Sequence, residues 1–124
     1  MPCEYAIDVE RKLVITTGTG VLTGAEVLAH QKSLGANKDF NPEFSQLLDF
    51  TTYTRIDVPG PMIKVLAERN LFSPRARRAF LVGHSKVAFG IIRMFQAYRE
   101  LSGAPEQMRI FEHREEALQW LLER

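Results

Sequence analysis

The chain has 124 residues, 45% hydrophobic and 25% charged, which suits one globular domain with its own core. Sixteen basic residues against fifteen acidic ones give a net charge of +1, so the broad positive field used in nucleic-acid binding is missing. No apolar stretch is long enough to span a bilayer, the polar start Met1-Pro2-Cys3-Glu4-Tyr5 lacks the apolar core of a signal peptide, and the single cysteine forms no intramolecular disulfide; the expected location is the cytoplasm.

The first element is an alternating strand, with Tyr5, Ile7 and Val9 apolar between Glu4, Asp8 and Glu10. The β-branched run Leu13 to Thr17 pairs with it as an antiparallel hairpin. Gly18-Thr19-Gly20 breaks that strand, and a helix follows. Thr23 and Glu26 have capping-box spacing, and Leu22 and Val27 stand where a hydrophobic staple closes a helix entry. Val27, Leu28 and Leu34 face inward, and the helix ends between Gly35 and Asn37. Gln46 to Phe50 is the third strand. Thr51 to Val58 reads as a long polar connection. Pro59-Gly60-Pro61 opens a second helix, which carries Ile63, Leu66, Ala67 and Leu71 on its inner stripe and stops at Ser73-Pro74.

Ala79 to Val82 is a continuous apolar run, as expected of a strand covered on both faces. Gly83-His84 then turns into a third helix capped by Ser85 and stopped by Gly103 and Pro105. A fifth strand, Met108 to Phe111, precedes a last helix holding Ala117, Leu118 and Leu121. The order predicts one α/β domain over residues 1–124. It has a mixed sheet of about five strands, opening on an antiparallel hairpin and continuing through right-handed β/α crossovers, with about four helices.

Several segments together resemble the SpoIIAA-like family: the opening hairpin, Gly20-Val21-Leu22-Thr23, Leu47-Leu48-Asp49, the run Ala88 to Phe95, and Phe111 followed by Glu115 to Leu121. The resemblance covers nearly the whole chain and rests on the order of segments. It implies a STAS-like fold, with two roles among the relatives. Anti-sigma-factor antagonists bind protein partners, and CRAL-TRIO domains hold lipids in an apolar pocket. Antagonists of the sporulation type carry a phosphorylatable Ser or Thr after an Asp. Here that stretch reads Asp57-Val58-Pro59-Gly60, and Val58 has no hydroxyl, so a phosphorylation switch of that kind is unsupported.

Gly83, His84, Ser85 and Lys86 lie where a strand ends and a helix begins, a place where free amides and a partial positive charge suit an anion or other ligand. An ordinary strand-to-helix turn accounts for the same residues. Arg75, Arg77 and Arg78 form a basic cluster that fits a solvated loop or an acidic partner. Asp49, Tyr53 and Asp57 mark a loop near a strand end, where Asp49 organises the backbone or serves as a base. His30, His84 and His113 are scattered without metal-ligand spacing, so neither metal nor cofactor is expected. Gly18-Thr19-Gly20 lacks the third glycine of a nucleotide loop.

The third helix is apolar around much of its circumference. Phe89, Ile92, Met94, Phe95 and Tyr98, interrupted by Arg93 and Arg99, exceed what one sheet face can cover. They form deep core, an interface, or the wall of a pocket, and Gly90 would allow another backbone to approach closely. The leading expectation is a non-catalytic module that recognises a protein partner or a second copy of itself. The alternative is a binder of a small amphipathic or lipid ligand. Catalysis is the least supported, since no nucleophile comes with a neighbouring base.

Overall fold

The computed structural model describes residues 3–103 and 106–123; Met1, Pro2 and the expected helix stop Pro105 lie outside the described residues. The elements are β1 (Glu4–Asp8), β2 (Leu13–Thr17), β3 (Gly20–Thr23), α1 (Gly24–Ala36), β4 (Ser45–Asp49), β5 (Tyr53–Asp57), α2 (Gly60–Ala67), β6 (Arg77–Leu81), α3 (Lys86–Leu101), β7 (Gln107–Phe111) and α4 (Arg114–Leu122). A five-stranded sheet has the order β1-β2-β4-β6-β7, with β1 antiparallel to β2 and each later neighbour parallel. The expected hairpin and mixed sheet are both present.

This order advances in one direction, which keeps crossover helices of one hand on one face. Leu34 of α1 packs with Val14, and Ala88 and Ile92 of α3 pack with Phe80, so α1 and α3 cover the face shown by Val14 and Phe80. Ala117 and Leu121 of α4 pack on Leu13, Leu47, Ala79 and Leu81, which point the other way from the same strands.

Two strands were not legible in the sequence. Gly20–Thr23 and Tyr53–Asp57, read as helix approach and polar loop, form a separate parallel ribbon in which Leu22 stands opposite Ile56. Arg55, Asp57 and Thr54 face solvent, so β5 carries little apolar signal beyond Ile56. The capping box at Thr23 is present in altered form. Its Oγ1 accepts from the Glu26 amide at 3.4 Å, but donates to the Glu26 carboxylate at 2.9 Å, so that carboxylate takes the hydroxyl proton rather than a second amide.

The second helix stops at Ala67, before the expected Ser73-Pro74. Its end is held from α3. Arg99 Nη1 donates to the carbonyls of Ala67 at 2.9 Å and Arg69 at 3.3 Å and to Asn70 Oδ1 at 3.0 Å. A cation satisfies the free carbonyls and complements the helix dipole there. Leu71, now past the helix, packs with Phe72 beneath α1.

The face under α1 to α3 contains a buried polar row. His30 Nε2 meets Thr16 Oγ1 at 3.0 Å, and Gln46 Nε2 donates to the same hydroxyl at 2.8 Å. Arg78 Nε donates to Gln46 Oε1 at 2.9 Å and Arg78 Nη1 to Glu106 at 2.7 Å. Glu106 also accepts from Arg99 Nη2 at 2.5 Å. Sequence reading placed Arg78 in a solvated cluster and left Arg99 open between solvent and ligand; both are buried. Strand alternation decides Arg78, because it shares the inward side of β6 with Phe80. Burial pulls its pKa down and Glu106 holds the charge in place. Burial opposes ionisation of Glu106, but the facing guanidiniums more than offset this and hold its carboxyl below the ordinary range.

Removing the shared carboxylate leaves two buried guanidiniums without a counter-charge. Glu106→Ala is expected to lower unfolding free energy by about 3–5 kcal/mol, measured by urea denaturation. Glu116→Ala, on the exposed side of α4, is the control expected to change little.

Candidate functional site

The main site candidate is a partly open pocket of about 70 Å³ between the sheet, the β3–β5 ribbon and helices α1 to α3. Leu48 and Phe80 form its floor, Leu22 and Ile56 of the ribbon its roof, and Ile92 and Phe95 of α3 part of its wall. The lining is apolar except for Gln31 and Arg78. Arg78 has its partners in the polar row. Gln31 does not: its Oε1 is buried and has no hydrogen-bond partner. A buried unpaired acceptor costs about 1–3 kcal/mol. The space exceeds the roughly 10–15 Å³ a water needs and is about half the ~150 Å³ of a cavity that admits benzene.

The apolar residues expected on α3 divide between two sides. Ile92 is buried and Phe95 half-buried, and both line the cavity. Tyr98 is half-buried. Phe89, Arg93 and Met94 are exposed on the outer side, so Phe89 and Met94 do not line this cavity. A Cβ at Gly90 would meet nothing within 4 Å, so among the described residues no backbone makes the expected close approach.

Gly83 to Lys86 sit at the carboxyl end of β6, as expected. Gly83 has φ of 59°, and a Cβ there would also lie 3.3 Å from Thr51 Cγ2, which explains the glycine. Ser85 Oγ caps α3 by accepting from the Ala88 amide at 3.1 Å. His84 is exposed, with Nδ1 at 3.6 Å from a carboxylate oxygen of Glu112. Open clefts of about 500 Å³ and 510 Å³ flank this turn, the second bounded by Thr51, Tyr53 and Arg55. The strand order never reverses, so the sheet has no crevice of the switch-point kind.

Asp49 binds its own loop. Its Oδ1 accepts from the Thr51 amide at 2.8 Å and the Thr51 hydroxyl at 2.5 Å, while Oδ2 lies 3.4 Å from Arg114 Nη1. Tyr53 borders a small second cavity of about 50 Å³ with Cys3, His30 and Asp49. Burial pushes the Tyr53 hydroxyl above its ordinary pKa, with Cys3 adding to the effect, and burial pushes the Cys3 thiol up as well. Such a thiol is less nucleophilic than a free one. Asp57 lies at the far end of β5, in an exposed pair with Arg55 at 3.1 Å. Asp49 and Tyr53 thus meet at this small cavity, and Asp57 does not join them. Among the described residues no group of three or more His, Cys, Asp or Glu side chains is placed to hold a metal ion, and no helix is long and apolar enough to cross a membrane.

Comparison with known proteins adds the architecture. A crystal structure of an uncharacterised protein from the DUF3478 family, from Shewanella loihica PV-4, superposes with a TM-score of 0.60. The match covers 96% of this chain and 93% of that one, at 20% sequence identity, and that protein is described as having a SpoIIAA-like fold. This chain has the SpoIIAA-like fold. At that identity the likeness is one of fold. No family model matches the sequence, and no curated protein matches it. The SpoIIAA-like architecture agrees with the segment order in the sequence, and within it the ribbon over the cavity is the feature that sequence reading missed. The paired signal was Leu22 and Ile56, each the main apolar residue of a short polar stretch.

His30 gives this region a pH dependence. Burial, with the positive charge of Arg78 second, lowers its pKa from 6.5 to about 4. The folded protein therefore holds it neutral, whereas the unfolded chain protonates near 6.5. The resulting stability is complete above pH 6.5 and is lost as pH falls toward about 4, by on the order of 3 kcal/mol. Urea denaturation from pH 7.5 downward is expected to show this decline, and His30→Gln is expected to flatten it. An equal decline in the variant would assign the effect to other groups.

Proposed function

We propose that this SpoIIAA-like domain is a non-catalytic binding module that takes the apolar part of a small amphipathic molecule into the cavity beneath the β3–β5 ribbon. One observation carries the reading: Gln31, whose Oε1 is buried and unpartnered, lines an otherwise apolar pocket. A hydroxyl or amide N–H on the ligand would donate to it and remove the desolvation cost. The polar group fixes orientation while the hydrocarbon fills the space, the usual division of labour in small-molecule sites. Arg78 already has an ion-pair partner in Glu106 at 2.7 Å, a carboxylate that it shares with Arg99. The lining holds no nucleophile and no free titratable group, which favours binding over catalysis. The ribbon pairs with no strand of the main sheet, so it is the element best placed to lift for a ligand larger than the present space.

Short n-alkanols are the direct probe. They are expected to shift the methyl resonances of Ile56, Ile63 and Ile92 in NMR titrations, ahead of alkanes of equal length. Gln31→Leu is expected to raise the stability of the free protein by about 1 kcal/mol and to abolish the preference for the alcohol. Unmoved methyl resonances, or a variant that keeps the preference, would sink the reading.

A second reading is favoured by a separate observation. Val87 is 63% exposed, Met94 42% and Leu101 83%, all on the outer side of α3. Exposed apolar residues grouped on one helix face support recognition of a protein there. Chemical shift mapping with any binding protein is expected to place its contacts on these residues, and Met94→Glu is expected to weaken binding at least tenfold. Contacts mapping to another face would count against it.

A further inference from the structure

The outer side of α3 is ordered along its length. Val87, Met94 and Leu101 recur every seven residues, and Gly90 and Ala97 fall three residues after the first two. This is the spacing of a two-helix seam. All five are exposed, whereas Ala88, Ile92 and Arg99 hold the opposite side against the domain. The seam alternates large and small: Val, Met and Leu at one set of positions, Gly and Ala at the other. In a parallel pair like positions meet, so large would stack on large and small on small, and no single helix separation would satisfy both. In an antiparallel pair the two sets face each other, and every layer combines one large residue with one small.

The flanking charges select the same orientation. Arg93 and Glu100 each directly precede a large seam residue, and both are exposed. Among the described residues neither makes an ion pair within the chain. Seven residues separate them, roughly 10 Å along the helix, too far to pair with each other. An antiparallel pair in which Met94 faces Ala97 brings Arg93 of one copy beside Glu100 of the other, twice by symmetry. A parallel pair places Arg93 beside Tyr98 and gives it no counter-charge.

We infer that α3 pairs antiparallel with the same helix of a second copy of this chain, about a two-fold axis between Met94 and Ala97. The inference rests on reading the outer side of α3 as a contact face. Leu101 of each copy fills the notch that Gly90 leaves open on the other, which accounts for a glycine inside a helix with nothing packed on it in the monomer. The contact is isologous and closes at two copies.

Sedimentation equilibrium of the full chain tests this across micromolar to near-millimolar concentration. A monomer–dimer equilibrium is expected. Met94→Glu should abolish it, and Arg93→Glu should weaken it about tenfold. The exchange Arg93→Glu with Glu100→Arg should restore it, because the swapped charges meet crosswise again. All substituted positions are exposed, and unchanged circular dichroism verifies the fold. A monomer at every concentration overturns the inference and leaves the contact face to be judged by the shift mapping. A dimer lost on Met94→Glu but not restored by the charge exchange overturns the antiparallel geometry and keeps the contact face. A dimer indifferent to every variant overturns both.

Discussion

Glu106 holds two arginines inside this domain, and the arrangement of the helices follows from that. Arg78 rises from the middle of the sheet and Arg99 descends from α3; each is buried, and each needs an anion. The carboxylate between them fixes how α3 lies over β6. Arg99 then reaches the end of α2 and binds its last carbonyls, which fixes where α2 stops. On the other side Arg78 continues through Gln46 and Thr16 to His30 of α1. One connected row thus ties all three helices of this face to the sheet. A purely apolar interface of the same size would allow sliding and rotamer exchange; hydrogen bonds of fixed length permit less.

The pocket lies beside that row. Arg78 belongs to both, and the ribbon contributes Leu22 and Ile56 to the lining. Interiors normally pack without such voids. A pocket lined by a residue with a buried unpaired acceptor is therefore a departure that stability alone does not favour, and departures of this kind concentrate at sites of function.

The two sides of helix α3 have different surroundings. Ile92 and Phe95 line the pocket, while Val87, Met94 and Leu101 are exposed, Met94 with its sulfur beside Gly60 of α2. The excess of apolar residues noticed in the sequence is thus neither all core nor all surface. Arg93 and Arg99, which look equivalent in sequence, also part company. Arg93 is solvated at the edge of the outer seam, and Arg99 is sealed inside with Glu106.

Periodicity and helix-stop chemistry alone determined the hairpin, strands expected at 46–50, 79–82 and 108–111 and found at 45–49, 77–81 and 107–111, the caps at Thr23 and Ser85, and the mixed α/β class, because these depend on neighbours within a few residues. The loop role of Asp49 was likewise local and legible. The tertiary structure decided what depends on distant partners. Tyr53–Asp57 is a strand only because Gly20–Thr23 lies beside it, and its own residues are too polar to announce one. Strand alternation turns Arg78 inward, and Glu106, 28 residues later, supplies the counter-charge that it needs there. Gln31 keeps a buried unpaired acceptor only because β3, β4, β5, α2, β6 and α3 gather around the pocket that it lines. Burial of a polar side chain is set by what folds over it, and the linear order of residues does not record that.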